Sequence, residues 1–499
     1  METHVLDSLE RIAKRLPDKA AFCDDEVTLS FSQLENISGS IGSRLISSGL
    51  YKEPVLVFMK KSPRTIAAFF GVIRSGCFYV PIDEEMPRLR IDLIIETTQP
   101  RLLICDESTR AIAETLNFDG EICSFAEICD HPRDEEALQR VRAASIDTDP
   151  IYIVFTSGST GRPKGVAACH RSVLDYVHQL SKVLGFGEET VFGNQTPLYF
   201  DACLKEVYPT LMFGATTWLI PHAYFSQPKR LVEYLNEKKI NTICWVVSAL
   251  TMISAFKTFD EVKPEYLRTI AFGSEVFPVR QYRIWKSTLP EAQFVNLYGP
   301  TEGTGMSCFY RCERDFAEDE PIPIGKPFPN TEVMLLKEDN TLAADGEEGE
   351  ICLRGTCVTL GYYRNPEKTA EAFVQNPLND AYPEIIYRTG DIARRDENGD
   401  LIFISRKDFQ IKHMGHRIEL GEIEANVNRV DGVKLCGCTY DLKKGKISCF
   451  YVGDIEPKEL TKELKGMLPR YMLPNRTRQI AKMPFTSNGK IDRNRLKEM

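Results

Sequence analysis

Short apolar, β-branched runs alternate with amphipathic stretches along most of this chain, and that alternation constrains its fold more than any other feature. "EPVLVFM" near Val55, "RLLIC" near Leu102, "IYIVF" at Ile151 to Phe155 and "RTIAFG" near Ile270 read as buried strands. "SVLDYVHQL" and "RLVEYLNEKK" lie between such runs and read as helices. Strand–helix alternation implies an α/β fold, with parallel sheets carrying helices on their faces. From about Pro321 the texture changes: "NTEVMLL", "GEICLRG" and "DLIFISR", joined by turns such as "ENGD", predict a small, mostly antiparallel β-rich portion. A chain of 499 residues exceeds what one core supports. The predicted boundary falls near Asp408, dividing a large domain, 1–407, from a small α+β domain, 408–499. There the charged "SRKD" reads as a linker, and Leu420 opens a strongly amphipathic helix.

Composition removes several classes of function. A net charge of −9 argues against a general nucleic-acid binder, which needs a basic face to neutralise phosphates. The N-terminal segment has helical periodicity broken by charges, unlike a signal peptide, and no stretch is long enough to span a bilayer. Fifteen cysteines without a secretion signal read as reduced thiols of a cytoplasmic protein. Cys436 and Cys438 in "LCGC", and His413 and His416 in "KHMGHR", lack the spacing of a ligand set, so structural roles are expected.

Four motifs point to chemistry. "FTSGSTGRPKG" follows a buried strand with Thr156, Ser157, Gly158, Ser159, Thr160 and Gly161. Successive backbone N–H groups and hydroxyls of this kind wrap phosphate oxygens. It is not a P-loop: Pro163 disfavours a helix, so Lys164 is expected on a mobile loop. "NLYGPTEGTG" offers the Tyr298 ring face and the Asn296 amide to a base, Thr301 to a phosphate and Glu302 to Mg²⁺. Asp391 in "YRTGD" has two acceptor oxygens suited to the paired hydroxyls of a ribose. "NGKIDR" carries Lys490 near the C-terminus.

Together, and in this order, these motifs resemble the adenylate-forming superfamily of acyl-CoA synthetases, luciferases and amino-acid-activating adenylation domains. The resemblance implies ATP and Mg²⁺ as cofactors and a two-step reaction. A carboxylate and ATP give an acyl-adenylate and pyrophosphate; a thiol then displaces AMP. It implies that Lys490 and Lys164 act as catalytic cations, with Thr301 and Glu302 beside them and Glu302 holding the metal. It carries Gly273, Ser274, Glu275, Asn296, Tyr298, Gly299, Asp391 and Arg406 onto the nucleotide surface. It also implies that the C-terminal domain is a mobile lid turning about Asp408, with Lys490 engaged only in the first step.

The acid is narrowed by "YFDACLKEVYPTLMFGATTWL". In amino-acid-activating members an aspartate after an aromatic residue pairs with the substrate ammonium, and Asp201 after Phe200 matches; the alternative is a helix cap. Trp245, Phe272 and Leu297 fall at the resemblance's pocket walls, and Gly305 lies nearby. Three bulky walls favour alanine, glycine or serine, as in the D-alanine-activating carrier-protein ligases this chain resembles. Those ligases have a cysteine where this chain has Gly273, and an apolar residue where it has Lys205. Lys205 either forms an intrahelical pair with Asp201, worth about 0.2–0.5 kcal/mol, or reaches the pocket and binds an acidic side chain. The thiol acceptor is expected to be the phosphopantetheine of a separate carrier protein, with coenzyme A as the alternative. A monomer that neither binds nucleic acid nor inserts in membranes is expected.

Overall fold

The computed structural model describes residues 2–158, 162–407, 410–442, 444–485 and 491–499. The apolar runs form strands buried on both faces, as in Pro54–Phe58, Phe78–Ile82 and Thr242–Val246. Burial on both faces is what a parallel sheet between helix layers demands. Two such sheets organise the large part. One has six strands, parallel except for its last, Lys164–Cys169, which runs antiparallel to Pro150–Thr156. The other has nine, and its centre pairs Thr242–Val246, Thr269–Gly273 and Gln293–Tyr298 in parallel.

The two faces of the nine-stranded sheet pack into different cores, which decides the site. Cys244, Ala271, Val295 and Leu297 enter a core shared with Val55, Tyr79 and Ile104 of the six-stranded sheet. Ile243, Trp245, Ile270, Phe272 and Phe294 enter a second core under Leu235, Leu250 and Trp285. The period-2 alternation of a strand forces that split.

The β-rich portion is a five-stranded antiparallel sheet including Glu348–Gly355, Ile385–Arg395 and Leu401–Arg406. "SR" of the expected linker belongs to this sheet: Arg406 pairs with Asp391, and the Lys407 N–H donates to the Gly390 carbonyl at 2.8 Å. A strand with one half-exposed face tolerates those charges. Asp408 lies outside the described residues. Beyond it come a hairpin, Gln410–His413 and His416–Glu419, the helix Leu420–Val427, and a three-stranded sheet. Ile418, Ile423, Val427, Ile447, Leu460 and Met472 pack there in a core of their own. No helix among the described residues is long and apolar enough to cross a membrane.

Candidate active site

The glycine- and hydroxyl-rich stretch is a hairpin connection between antiparallel strands. Lys164 is the first residue of a strand, paired across the hairpin with Thr156, so the expected mobile lysine is corrected: the sheet ladder fixes its backbone. Its Nζ lies 4.8 Å from the centre of the Tyr362 ring. Gly158 is required where it stands, since a Cβ there would sit 1.9 Å from the Arg162 carbonyl oxygen. The Ser157 hydroxyl donates to the Arg417 carbonyl at 2.8 Å, and the Gly158 N–H donates to Glu422 at 3.2 Å. Thr156 Oγ1 is buried without a partner among the described residues. Ser159, Thr160 and Gly161 lie outside the described residues, as does Lys490.

Glu302 sits on the short 3-10 turn Thr301–Gly303 and is fully buried. Tyr362 donates to one oxygen at 2.7 Å and Arg417 to the other at 2.6 Å. Burial alone would raise its pKa, but Arg417 and then Lys164 override it and hold the carboxyl at about 2. At neutral pH this is an ionised hard-oxygen donor, which fits a magnesium ion. Arg417 is the cation facing it here.

Asp391 and Arg406, partners across adjacent strands, are bonded at 2.5 Å, and the other Asp391 oxygen accepts from the Tyr298 hydroxyl. The Tyr298 ring is not open to a base as the sequence suggested. It is buried, and Lys412 Nζ lies 5.2 Å from its centre. Burial lowers the pKa of that lysine. The Asn296 amide donates to the Pro323 carbonyl at 2.8 Å, leaving its oxygen as the atom that can accept. Glu275 differs from the expected nucleotide ligand: its two oxygens accept from the backbone N–H groups of Ser248 (2.8 Å) and Gly415 (3.0 Å). Ser274 has φ +67° and lines the central cavity with Gly299, Thr301, Asp391 and Arg406. A Cβ on Gly299 would meet the Gly305 carbonyl oxygen at 2.6 Å.

Asp201 lines the same cavity beside Phe200. Burial raises its pKa to about 6, against the Thr301 hydroxyl, Lys205 and the Gly305 N–H, which favour the anion. Gly305 has φ +81°, and a Cβ on it would run into the Tyr176 ring. Two of the three expected walls are corrected. Trp245 and Phe272 point to the far side of the sheet; Trp245 donates to the Gly193 carbonyl at 2.7 Å, and Phe272 packs edge-on to Phe277. Their neighbours Cys244, Val246, Ala271 and Gly273 are on the Leu297 face, and Val246 lines the cavity. The wall is therefore mostly small side chains. Lys205 is 3% exposed and makes no ion pair with Asp201.

Reading motifs alone missed Arg417, Lys412, Glu422, Tyr362 and Arg90. Arg90 closes a buried pair with Glu422 at 2.6 Å. Arg417 and Glu422 stand in "GHRIELGEIE", where the charges in a buried amphipathic segment were the available signal. The two histidines there are structural: His416 stacks on Tyr471 at 3.6 Å, and His413 meets Tyr440 edge-on.

Comparison with known proteins matches residues 9–363 to the family model described as AMP-binding enzyme. The chain is 31% identical over 511 residues to a D-alanine–D-alanyl carrier protein ligase of Staphylococcus aureus, covering 100% of this chain and 99% of that one. It is 30% identical to tyrocidine synthase 1 of Brevibacillus parabrevis, covering 98% of this chain and 44% of that protein. It spans less than half the length of the peptide-synthase relatives it matches, between 14% and 44%. A solved NRPS protein containing adenylation and PCP domains, bound to a vinylsulfonamide inhibitor, superposes with TM-score 0.82 at 25% identity, covering 99% of this chain and 84% of that one.

Proposed function

The chain belongs to the AMP-binding enzyme family and is an AMP-forming ligase, and from that premise we propose that it activates an amino acid and passes it to the phosphopantetheine thiol of a separate carrier protein. The observation that carries this reading is Asp201, an acidic group buried beside Thr301 at the end of a cavity that also holds Asp391 and Arg406. A buried carboxylate facing that cavity selects a cationic partner, because leaving either charge unpaired costs several kcal/mol, on the order of 3–5. The α-ammonium of an amino acid supplies one. Stand-alone ligases that act on a carrier protein, such as the relative matched end to end, support the acceptor.

In the first half-reaction an oxygen of the amino-acid carboxylate attacks the α-phosphorus of ATP, and the bond to pyrophosphate breaks. In the second, the thiol sulfur bonds to the acyl carbon and AMP leaves with the electron pair. The residues bind and orient. Asp391 and Arg406 take the ribose, the Asn296 oxygen accepts from the base, and the Thr156, Ser157 and Gly158 stretch with Lys164 steadies the phosphates. Glu302 would hold Mg²⁺, which supplies charge neutralisation at the phosphates when bound. Residues 408–499 act as a lid hinged at Asp408, and Lys490 meets the carboxylate and bridging oxygen in the first step only. The hairpin Gln410–His413/His416–Glu419 lies against the phosphate stretch through Arg417. That arrangement suits a lid turned toward the thiol step. We take the enzyme to be a cytoplasmic monomer.

Lys490→Ala tests the division of labour. It should abolish amino-acid-dependent pyrophosphate exchange and spare thioester formation from preformed adenylate. Equal survival of both half-reactions contradicts the role given to Lys490.

A further inference from the structure

We propose that the amino acid carries a side-chain carboxylate, recognised by Lys205. This deepens the amino-acid reading above and rests on it. Lys205 lies at the start of the helix Leu204–Phe213, one helical turn past Asp201. It is 97% buried by the 3% exposure it retains, and makes no hydrogen bond or ion pair among the described residues. Its charge acts on Asp201, Glu206, Cys203 and Cys244. Cys244 stands on the sheet face that carries Val246, Gly273 and Leu297. The lysine therefore belongs to the space where a side chain would extend from an ammonium held at Asp201.

Charge balance in this space points the same way. Lys205 faces both Asp201 and Glu206, while Lys61 faces Glu206 together with Asp83 and Glu84. A bound amino acid adds its ammonium beside Asp201, while its α-carboxylate is directed to the phosphates. With Asp201 engaged by that ammonium, Lys205 is left as a buried cation with no ion pair among the described residues, an arrangement that is costly unless an anion joins it. A side-chain carboxylate supplies that anion. A polar atom for its second oxygen is present too: the Tyr176 hydroxyl, which the Asp201 charge also reaches, is buried without a partner among the described residues. The steric objection raised by the sequence is gone, because the bulky Trp245 and Phe272 are behind the sheet and the small Cys244, Ala271 and Gly273 are in front. A carboxylate recognised by a buried lysine is discriminated sharply from its amide, since the amide leaves the lysine unpaired.

The experiment is pyrophosphate exchange by the full chain with Mg-ATP, using D- and L-aspartate and glutamate against asparagine, glutamine and alanine. At least one acid should exceed its amide by tenfold or more in kcat/KM. Lys205→Met should cut that acid-to-amide ratio at least tenfold, through KM, and Lys205→Arg should restore part of it. The proposal is overturned if alanine or the amides match or exceed the acids, or if Lys205→Met lowers acid and amide alike. The comparison on the unaltered enzyme stands whether or not the variants fold. Exchange with alanine but not with acids sinks this inference alone. Exchange with no amino acid sinks the amino-acid reading as well.

Discussion

Replacing Asp201 with asparagine removes the charge and keeps the shape. Burial raises this carboxyl from 3.8 to about 6. At pH 7.5 it is therefore still ionised, by a ratio of roughly thirtyfold, since each pH unit is worth ~1.36 kcal/mol. An ammonium brought beside it gains a partner in a site where an unpaired charge costs about 3–5 kcal/mol. The asparagine carbonyl recovers some of that as a hydrogen-bond acceptor. A net loss near ~3 kcal/mol converts to a fall in kcat/KM on the order of a hundredfold. The assay is pyrophosphate exchange with the best amino acid and, in parallel, with its des-amino analogue. The amino acid should lose about a hundredfold and the analogue no more than about threefold. Equal losses for both, or a retained preference for the amino acid, would refute the reasoning.

The same raised pKa predicts a stability effect of definite sign. Folded Asp201 binds its proton more tightly than the unfolded chain does, so its ionisation costs stability as pH rises from about 4 to about 6. Asp201→Asn should therefore melt higher than the parent at pH 7.5 and equal to it near pH 3.5. Glu302 runs the other way: held at about 2, it contributes stability above its ordinary value of 4.5, lost as pH falls toward 2. Glu302→Gln should thus melt several degrees lower at pH 7 and converge with the parent in strong acid. Glu422→Gln leaves the buried Arg90 without its charged partner, a loss of about 3 kcal/mol, read as a lower urea midpoint with the slope unchanged. Asp391→Ala should raise the KM for ATP at least tenfold with little change in the KM for the amino acid; equal changes in both would remove the ribose assignment.

The layers were legible because buried parallel strands need continuous apolar runs, and "PVLVF" and "IYIVF" admit no other home. Phosphate, ribose and metal candidates were legible because glycine, hydroxyl and carboxylate groups at strand ends have few other uses. The face of a strand was not. Trp245 and Phe272 differ from their neighbours Cys244 and Gly273 by one residue, and a one-residue shift moves a side chain to the other side of the sheet. The bulkier residues attracted the reading, while the register put the smaller ones at the site. Glu275 and Tyr298 were misread for a different cause. Their polar atoms serve neighbours far apart in sequence, Gly415 and Asp391, and local pattern cannot reveal such partners.

The central claim is that a carboxylate is joined to AMP, and the most direct measurement is the product balance. The purified protein, given Mg-ATP, an amino acid and a phosphopantetheinylated carrier protein, should release AMP and pyrophosphate in equal amounts, matched by acyl thioester. Formation of ADP and phosphate, or no nucleotide turnover with any amino acid, would contradict the account.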